Sequence, residues 1–132
     1  MMQQVAVAVA LCGMAHMVGD YLIQSDWMAV EKTRRWWPAI VHGVTYTLPF
    51  ALVTQSPAAL AVIAGTHVVI DRYRLARHVV WFKNQFAPSA FRPPHTATGH
   101  GDDRPAWLST WLLIIADNVI HMVINVAAVV WL

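Results

Sequence analysis

Long apolar runs alternate with short polar stretches along this chain, and the pattern predicts four membrane-spanning helices. The runs cover about residues 5–23, 36–53, 58–77 and 106–131. A helix needs about 20 apolar residues to cross the hydrocarbon core of a bilayer. The third run is apolar only to Ile70, so we expect its helix to continue through basic residues toward Phe86, with their side chains reaching the membrane surface. The predicted fold is an all-α, polytopic four-helix transmembrane bundle that occupies residues 1–132 as a single domain.

Two polar segments have distinct predicted structures. Asp26 is a suitable N-cap for a short interfacial helix after the first run, because its side chain can accept a hydrogen bond from the first turn. Trp27 and Val30 of this helix can then contact the lipid. The segment 84–105 is rich in proline and glycine, which interrupt regular structure, and we interpret most of it as a mobile cytoplasmic loop.

The composition and the distribution of charge indicate an integral membrane protein. The chain is 58% hydrophobic and only 12% charged, whereas an ordinary soluble domain has about 25% charged residues. All nine lysine and arginine side chains follow either the first run or the apolar part of the third run, which ends at Ile70. The positive-inside rule therefore places these segments in the cytoplasm and both termini outside it. Because the basic residues lie in short clusters beside apolar runs, we expect membrane lipids as partners and no nucleic acid.

Three aspartates lie in the apolar runs, and each has a histidine four residues away. The pairs are His16 with Asp20, His67 with Asp71, and Asp117 with His121. Side chains four residues apart lie on one face of a helix, so each pair presents an imidazole and a carboxylate to one partner. A charged side chain near the bilayer centre costs about 2.5–3.5 kcal/mol, and such groups are therefore expected to be paired and functional. The predicted orientation brings all three pairs, and His42 of the second run, into the cytoplasmic half of the membrane.

These residue types point to a metal site. Imidazole and carboxylate are common ligands of zinc, and manganese and iron use them too, so we predict a divalent metal with zinc as the first choice. The predicted ligands are His16, Asp20, His67, Asp71 and His121. His42 and Asp117 are predicted either to complete the ligand shell or to act as the catalytic base. Two other interpretations stay open: a structural network of hydrogen-bonded polar side chains, and a pathway for protons or ions.

A metal site at the cytoplasmic leaflet suggests chemistry on a membrane substrate. The leading hypothesis is a metal-dependent hydrolase that acts on a lipid-linked or phosphate-bearing substrate, for which the ion activates water. Arg72 and Arg74 would hold the anionic group of the substrate or of an anionic lipid, because a guanidinium group matches phosphate geometry. Their alternative role is to anchor the third helix at the surface. The alternative function is a non-enzymatic membrane module, either an ion or proton conductor or a small interaction protein.

Four ordered motifs give the chain a resemblance to a known family. They are HMVGDYLIQSDWM from His16 to Met28, His42 with Tyr46 to Pro49, HVVIDRYRLAR from His67 to Arg77, and ADNVIH from Ala116 to His121. Together they resemble the bacterial and phage membrane family catalogued as domain of unknown function 3307. The resemblance covers nearly the whole chain. It implies an all-helical membrane protein of bacteria and their phages, so we expect it in the bacterial inner membrane, and the interaction protein of the alternative function would be phage-encoded. The resemblance implies no catalytic role for any residue.

Overall fold

A computed structural model describes residues 2–132, which form six α-helices and no strand. The helices are α1 (Met2–Met17), α2 (Asp26–Glu31), α3 (Trp36–Thr47), α4 (Pro57–Tyr73), α5 (Ala76–Asn84) and α6 (Ala106–Trp131). A π-helical turn, Val18–Ile23, extends α1, and 3-10 turns cover Leu48–Leu52 and Ser89–Phe91. The predicted all-α class is therefore confirmed.

Two helical stretches within residues 2–132 are long and apolar enough to cross a membrane. They are Met2–Ile23 and Ala106–Trp131. The other two predicted spans do not reach that length, so the four-span bundle is not supported. The α-helix α3 has 12 residues and gives way to a 3-10 turn at Leu48. The adjacent Pro49 has no backbone N–H with which to continue the α-helical hydrogen bonds.

The third predicted span ends earlier than expected. Helix α4 ends at Tyr73, and α5 begins at Ala76, so the expectation of one helix running on toward Phe86 is wrong. Arg74, between the two helices, has φ of 52°. This left-handed conformation disfavours a side chain with a Cβ atom and interrupts the right-handed helix. The apolar part of α4 is therefore followed by a break between two helices and not by one continuous basic helix.

The short helix α2, which follows the first apolar run, has Ser25 and not the predicted Asp26 as its N-cap. Its N-cap is Ser25, whose Oγ accepts a hydrogen bond from the backbone N–H of Met28 at 3.4 Å. Asp26 is instead the first helical residue, where a carboxylate is favoured by the helix dipole. The local sequence thus supports the same helix through two neighbouring residues with separate roles.

The chain divides into two compact units. The first contains the residues up to Tyr73 together with His121–Leu132, and the second is Arg74–Ile120. The core of the first unit includes the buried side chains of Tyr46, Phe50 and Ile63. The second unit holds the proline- and glycine-rich segment against α5: Asn84 Nδ2 donates to the carbonyl oxygen of Gly99 at 3.0 Å.

Glycine permits a close approach of α3 and α4 in the first unit. A Cβ atom at Gly43 would collide with the Val68 side chain and lie 3.2 Å from the carbonyl oxygen of Ala64. Gly65, one position further along α4, has open space around its Cα. The contact therefore depends on the missing side chain at one glycine and not on glycine content in general.

Candidate metal centre

The interior of the first unit contains a group of buried polar side chains in addition to its apolar core. The buried polar residues there include His16, His42, His67, Asp71, His121 and Asn125, each no more than 7% exposed. They come from α1, α3, α4 and α6, which carry them on their inward faces. Buried polar groups are stable only when they are hydrogen-bonded, paired or bound to an ion. The arrangement of these groups therefore decides what the unit can bind.

Three of the polar side chains form a compact triad. Asp20 Oδ1 lies 3.2 Å from His42 Nε2 and 3.4 Å from His67 Nε2. The two imidazole nitrogens are 2.9 Å apart. Tetrahedral zinc binds nitrogen and oxygen ligands at about 2.0–2.2 Å, which separates the ligand atoms from one another by about 3.3–3.5 Å. The two distances to Asp20 Oδ1 lie close to this spacing, whereas the two imidazole nitrogens would have to move apart by about 0.4–0.6 Å to hold the same ion.

The triad has more atoms that can accept a hydrogen bond than hydrogens that can be donated to them. A neutral imidazole carries one N–H, and a carboxylate only accepts. Asp20 Oδ1 is buried without a well-formed hydrogen bond, although both imidazole nitrogens are close to it. A cation at the centre of the triad would satisfy all three atoms at once. The donor set, two imidazoles and one carboxylate, is one that zinc, iron and manganese bind.

Asp71 lies beside the triad on α4. Its Oδ2 is 3.2 Å from His42 Nε2 and 3.1 Å from His67 Nε2. The same oxygen forms an ion pair with Lys32 Nζ at 2.7 Å, and Oδ1 lies 3.4 Å from His121 Nε2. His67, Asp71 and His121 form a second group whose ligand atoms lie within 4.8 Å of one another. Asp71 can therefore either bind an ion or act on a molecule bound to the ion of the triad.

Tyr46 connects the triad to its surroundings. Its hydroxyl oxygen accepts a hydrogen bond from Asn125 Nδ2 at 2.6 Å and lies 2.8 Å from His16 Nδ1. The Tyr46 ring stacks on His67, with the ring centres 3.6 Å apart. Because the hydroxyl already accepts from Asn125, its own hydrogen is available to His16 Nδ1. The tyrosine thus fixes the orientation of one triad histidine and pairs with a neighbouring one.

The predicted site residues fall into different positions. His42, expected as a possible base, lies in the triad with Asp20 and His67. His16 lies 3.5 Å from the other carboxylate oxygen of Asp20, at the edge of the site. Asp117, the other candidate base, belongs to the second unit, on the helix turn before His121.

The two arginines predicted to hold an anion have other surroundings. Arg72 donates to the carbonyl oxygens of Thr33 at 2.7 Å and Arg34 at 3.1 Å, and its guanidinium lies over the Trp36 ring. Arg74 lies at the break between α4 and α5, in the second unit. The geometry thus gives Arg72 a structural role in the turn before α3.

Sequence reasoning missed Lys32 as a member of the site. In the sequence, Lys32 is recognisable only as one of the nine basic residues that predict the membrane orientation. No helical spacing links it to Asp71, because Lys32 follows α2 whereas Asp71 lies in α4. A lysine within a short polar segment between two apolar runs was the only signal present in the sequence.

The second unit has its own histidines, with different partners. His95 stacks on Trp81 with ring centres 4.0 Å apart, and His78 contacts His95 edge to face. Burial lowers the pKa of His100, and the nearby charges of Lys83 and Arg104 lower it further. Within residues 2–132, both groups of side chains spaced to hold one metal ion lie in the first unit.

Comparison with known proteins gives one match. The family described as "Protein of unknown function (DUF3307)" matches residues 8–132. This range includes the triad, Asp71 and Lys32. No curated protein and no solved structure matches the chain.

Proposed function

The chain belongs to the DUF3307 family, and from the geometry of its site we propose that it is a metal-binding integral membrane protein with hydrolase activity. The proposed substrate is lipid-linked or bears a phosphate group, and the reaction takes place at the cytoplasmic leaflet. The observation that carries the proposal is the buried triad of Asp20, His42 and His67. Zinc is the first candidate, and iron or manganese could use the same ligands.

The distribution of apolar side chains supports a membrane location. In the first unit, Leu22 is 79% exposed and Leu52 is 91% exposed, while several histidines and Asp71 are buried beside the apolar core. The two helical stretches long enough to cross a bilayer have only 28% and 17% of their most apolar windows buried. A core helix of a soluble protein would be mostly buried, whereas lipid accepts exposed apolar surface without penalty. We propose a multi-pass protein of the bacterial inner membrane, with its basic segments in the cytoplasm and its termini outside.

The number of protein ligands supports catalysis. Catalytic zinc sites commonly have three protein ligands and leave the fourth position to water, whose pKa the ion lowers to about 7. Asp71 Oδ2 lies 3.2 Å or less from both triad histidines, so it would be close enough to take a proton from a water molecule bound to an ion that these residues held. Lys32 and His121 hold this carboxylate in place.

The proposed reaction can be written so that its atoms balance. Asp71 accepts one proton from water while the water oxygen forms a bond to phosphorus. The bond between phosphorus and the ester oxygen breaks, and that oxygen leaves with the electron pair. Asp71 then returns its proton to the leaving oxygen, which gives an alcohol and a phosphate. No redox partner is needed.

The test measures metal and turnover in the same purified protein. Detergent-purified wild type is expected to contain one zinc per chain by elemental analysis and to hydrolyse p-nitrophenyl phosphate slowly. Asp71→Asn should keep the zinc and lose at least about 100-fold in turnover, because removal of a general base typically costs 10²–10⁴ in rate. Asp26→Asn, which removes an exposed carboxylate of α2, should change neither quantity.

Two results would contradict the proposal. Wild type without stoichiometric metal would remove the metal site itself. Zinc-loaded wild type that hydrolyses no phosphate ester would remove the hydrolase activity and would favour the non-enzymatic alternative, a conductor or an interaction protein.

A further inference from the structure

Lys32 is a cation placed beside a candidate cation site, and the metal site alone does not explain it. Its Nζ lies 2.7 Å from Asp71 Oδ2, 2.6 Å from Gln24 Oε1 and 3.2 Å from His42 Nε2. The side chain is only 16% exposed. An ammonium group has three hydrogens to donate, and three acceptors surround this one. Lys32 is therefore fully paired as long as His42 Nε2 is free to accept.

A bound ion would remove one of the three acceptors around Lys32. A ring nitrogen has a single lone pair, which either accepts a hydrogen bond or ligates an ion. When His42 Nε2 ligates an ion in the triad, Lys32 loses its third acceptor. One N–H of a mostly buried ammonium would then be unpaired beside the triad. An unpaired buried donor is costly, and more so when it is charged.

The charges of the site indicate which kind of molecule would neutralise it and accept a hydrogen bond from the freed N–H of Lys32. Asp20 and Asp71 together carry two negative charges, while Lys32 and a divalent ion carry three positive charges. The excess positive charge lies in a buried place, where electrostatic interactions are stronger than in water. An anion with an oxygen able to contact both the ion and Lys32 Nζ would satisfy the charge and the freed N–H together.

We propose that Lys32 and the ion together bind a phosphate group. This inference rests on the proposed function, since it requires an ion in the triad. Lysine is a regular phosphate ligand, and the several oxygens of one phosphate can contact the ion and the ammonium at once. Both free phosphate and a lipid headgroup have this chemistry. Trp27 and Trp37 are 44% and 65% exposed close to Lys32 in sequence, and such side chains are common at the level of lipid headgroups.

The test is phosphate binding to zinc-loaded protein, measured by titration calorimetry with inorganic phosphate. Lys32→Gln should retain one zinc per chain and bind phosphate at least about tenfold more weakly, the effect of losing one charged hydrogen bond. Lys32→Arg should retain part of the affinity because it keeps the charge. Lys83→Gln removes the same charge in the second unit, and its phosphate affinity should equal that of wild type.

A second arm distinguishes the two sources of the phosphate group. Protein in nanodiscs of phosphatidylcholine is compared with protein in nanodiscs that also contain phosphatidic acid. Weaker apparent binding of inorganic phosphate in the presence of phosphatidic acid, for wild type and not for Lys32→Gln, identifies the lipid headgroup. Equal binding in the two kinds of nanodisc identifies free phosphate.

The inference and the proposed function fail in different ways. Wild type without stoichiometric zinc overturns the metal site. Zinc-loaded wild type that binds no phosphate, or a zinc-loaded Lys32→Gln variant that binds it as tightly as wild type, overturns the role of Lys32 alone. The zinc content of each variant shows whether the site has folded.

Discussion

Histidines cluster in both units of the part of the chain that the structure describes, and in the first unit they lie against carboxylates. There, His42 and His67 approach each other to 2.9 Å, and one oxygen from each of Asp20 and Asp71 lies within 3.4 Å of both. In the second unit, His95 lies flat on Trp81 and His78 contacts it edge to face. His78 and His95 are exposed, so their ring nitrogens can hydrogen-bond to water, whereas the ring nitrogens of His42 and His67 are buried and need a partner inside the protein. The candidate metal site is therefore marked by carboxylates close to buried histidines and not by histidines alone.

The largest expected difference between the two units is in the effect on zinc affinity of removing one imidazole from each. His42→Ala should weaken zinc binding by at least about 100-fold, more than the loss of a residue that only supports a ligand. His95→Ala removes an equal number of atoms from the second unit and should leave zinc affinity unchanged. Competition with a chromophoric chelator measures both. Equal zinc affinity in the two variants would show that the triad is not the binding site.

Glycine substitutions should affect the two units in different ways. Gly43→Ala places a methyl group against Val68, and overpacking of this kind costs about 1–3 kcal/mol. We expect a lower thermal midpoint and weaker zinc binding, because α3 and α4 carry His42 and His67. Gly99→Ala forces a side chain into φ of 77° against the Arg77 carbonyl, and it should loosen the second unit without changing zinc affinity.

Gly65→Ala is the control for the first of these changes. Its Cβ would meet open space, so the variant should be as stable as wild type or more stable by about 0.5–1 kcal/mol, since alanine favours helix over glycine. A loss of stability equal to that of Gly43→Ala would show that the helix contact does not depend on the shape of position 43.

The smallest expected effect concerns pH in the second unit. Because burial lowers the pKa of folded His100 below its ordinary value of 6.5, the folded state binds a proton less readily than the unfolded state. The stability of this segment is therefore full above about pH 6.5 and decreases as the pH falls toward the folded pKa. Amide protection factors around Gly99 should decrease between about pH 7.5 and pH 5.5 in wild type.

His100→Gln should flatten that dependence, because glutamine does not titrate. The carbonyl oxygen that Asn84 bonds belongs to the backbone of Gly99, so the substitution leaves this contact in place. Protection that decreases equally in the variant would assign the pH effect to another group.

Much of the site could be predicted from helical spacing. Two residues four apart on a helix stay together in any fold that keeps the helix, so His67 and Asp71 were identifiable as a pair before the structure. The same rule could not separate the roles of its members. It treated Asp117 like Asp71, although Asp117 lies in the second unit. It also left Lys32 out, because the contact with Asp71 joins residues on different elements through a turn.

The amino-acid sequence by itself determined the all-α class, the two long apolar helices and the candidate imidazole and carboxylate groups, since these follow from local periodicity and composition. Only the tertiary structure decided which groups converge. The close approach of α3 and α4 at Gly43 and the π-helical turn that carries Asp20 bring side chains from different helices within 3.4 Å. Such distances depend on how whole helices pack, and no pattern within one helix contains them.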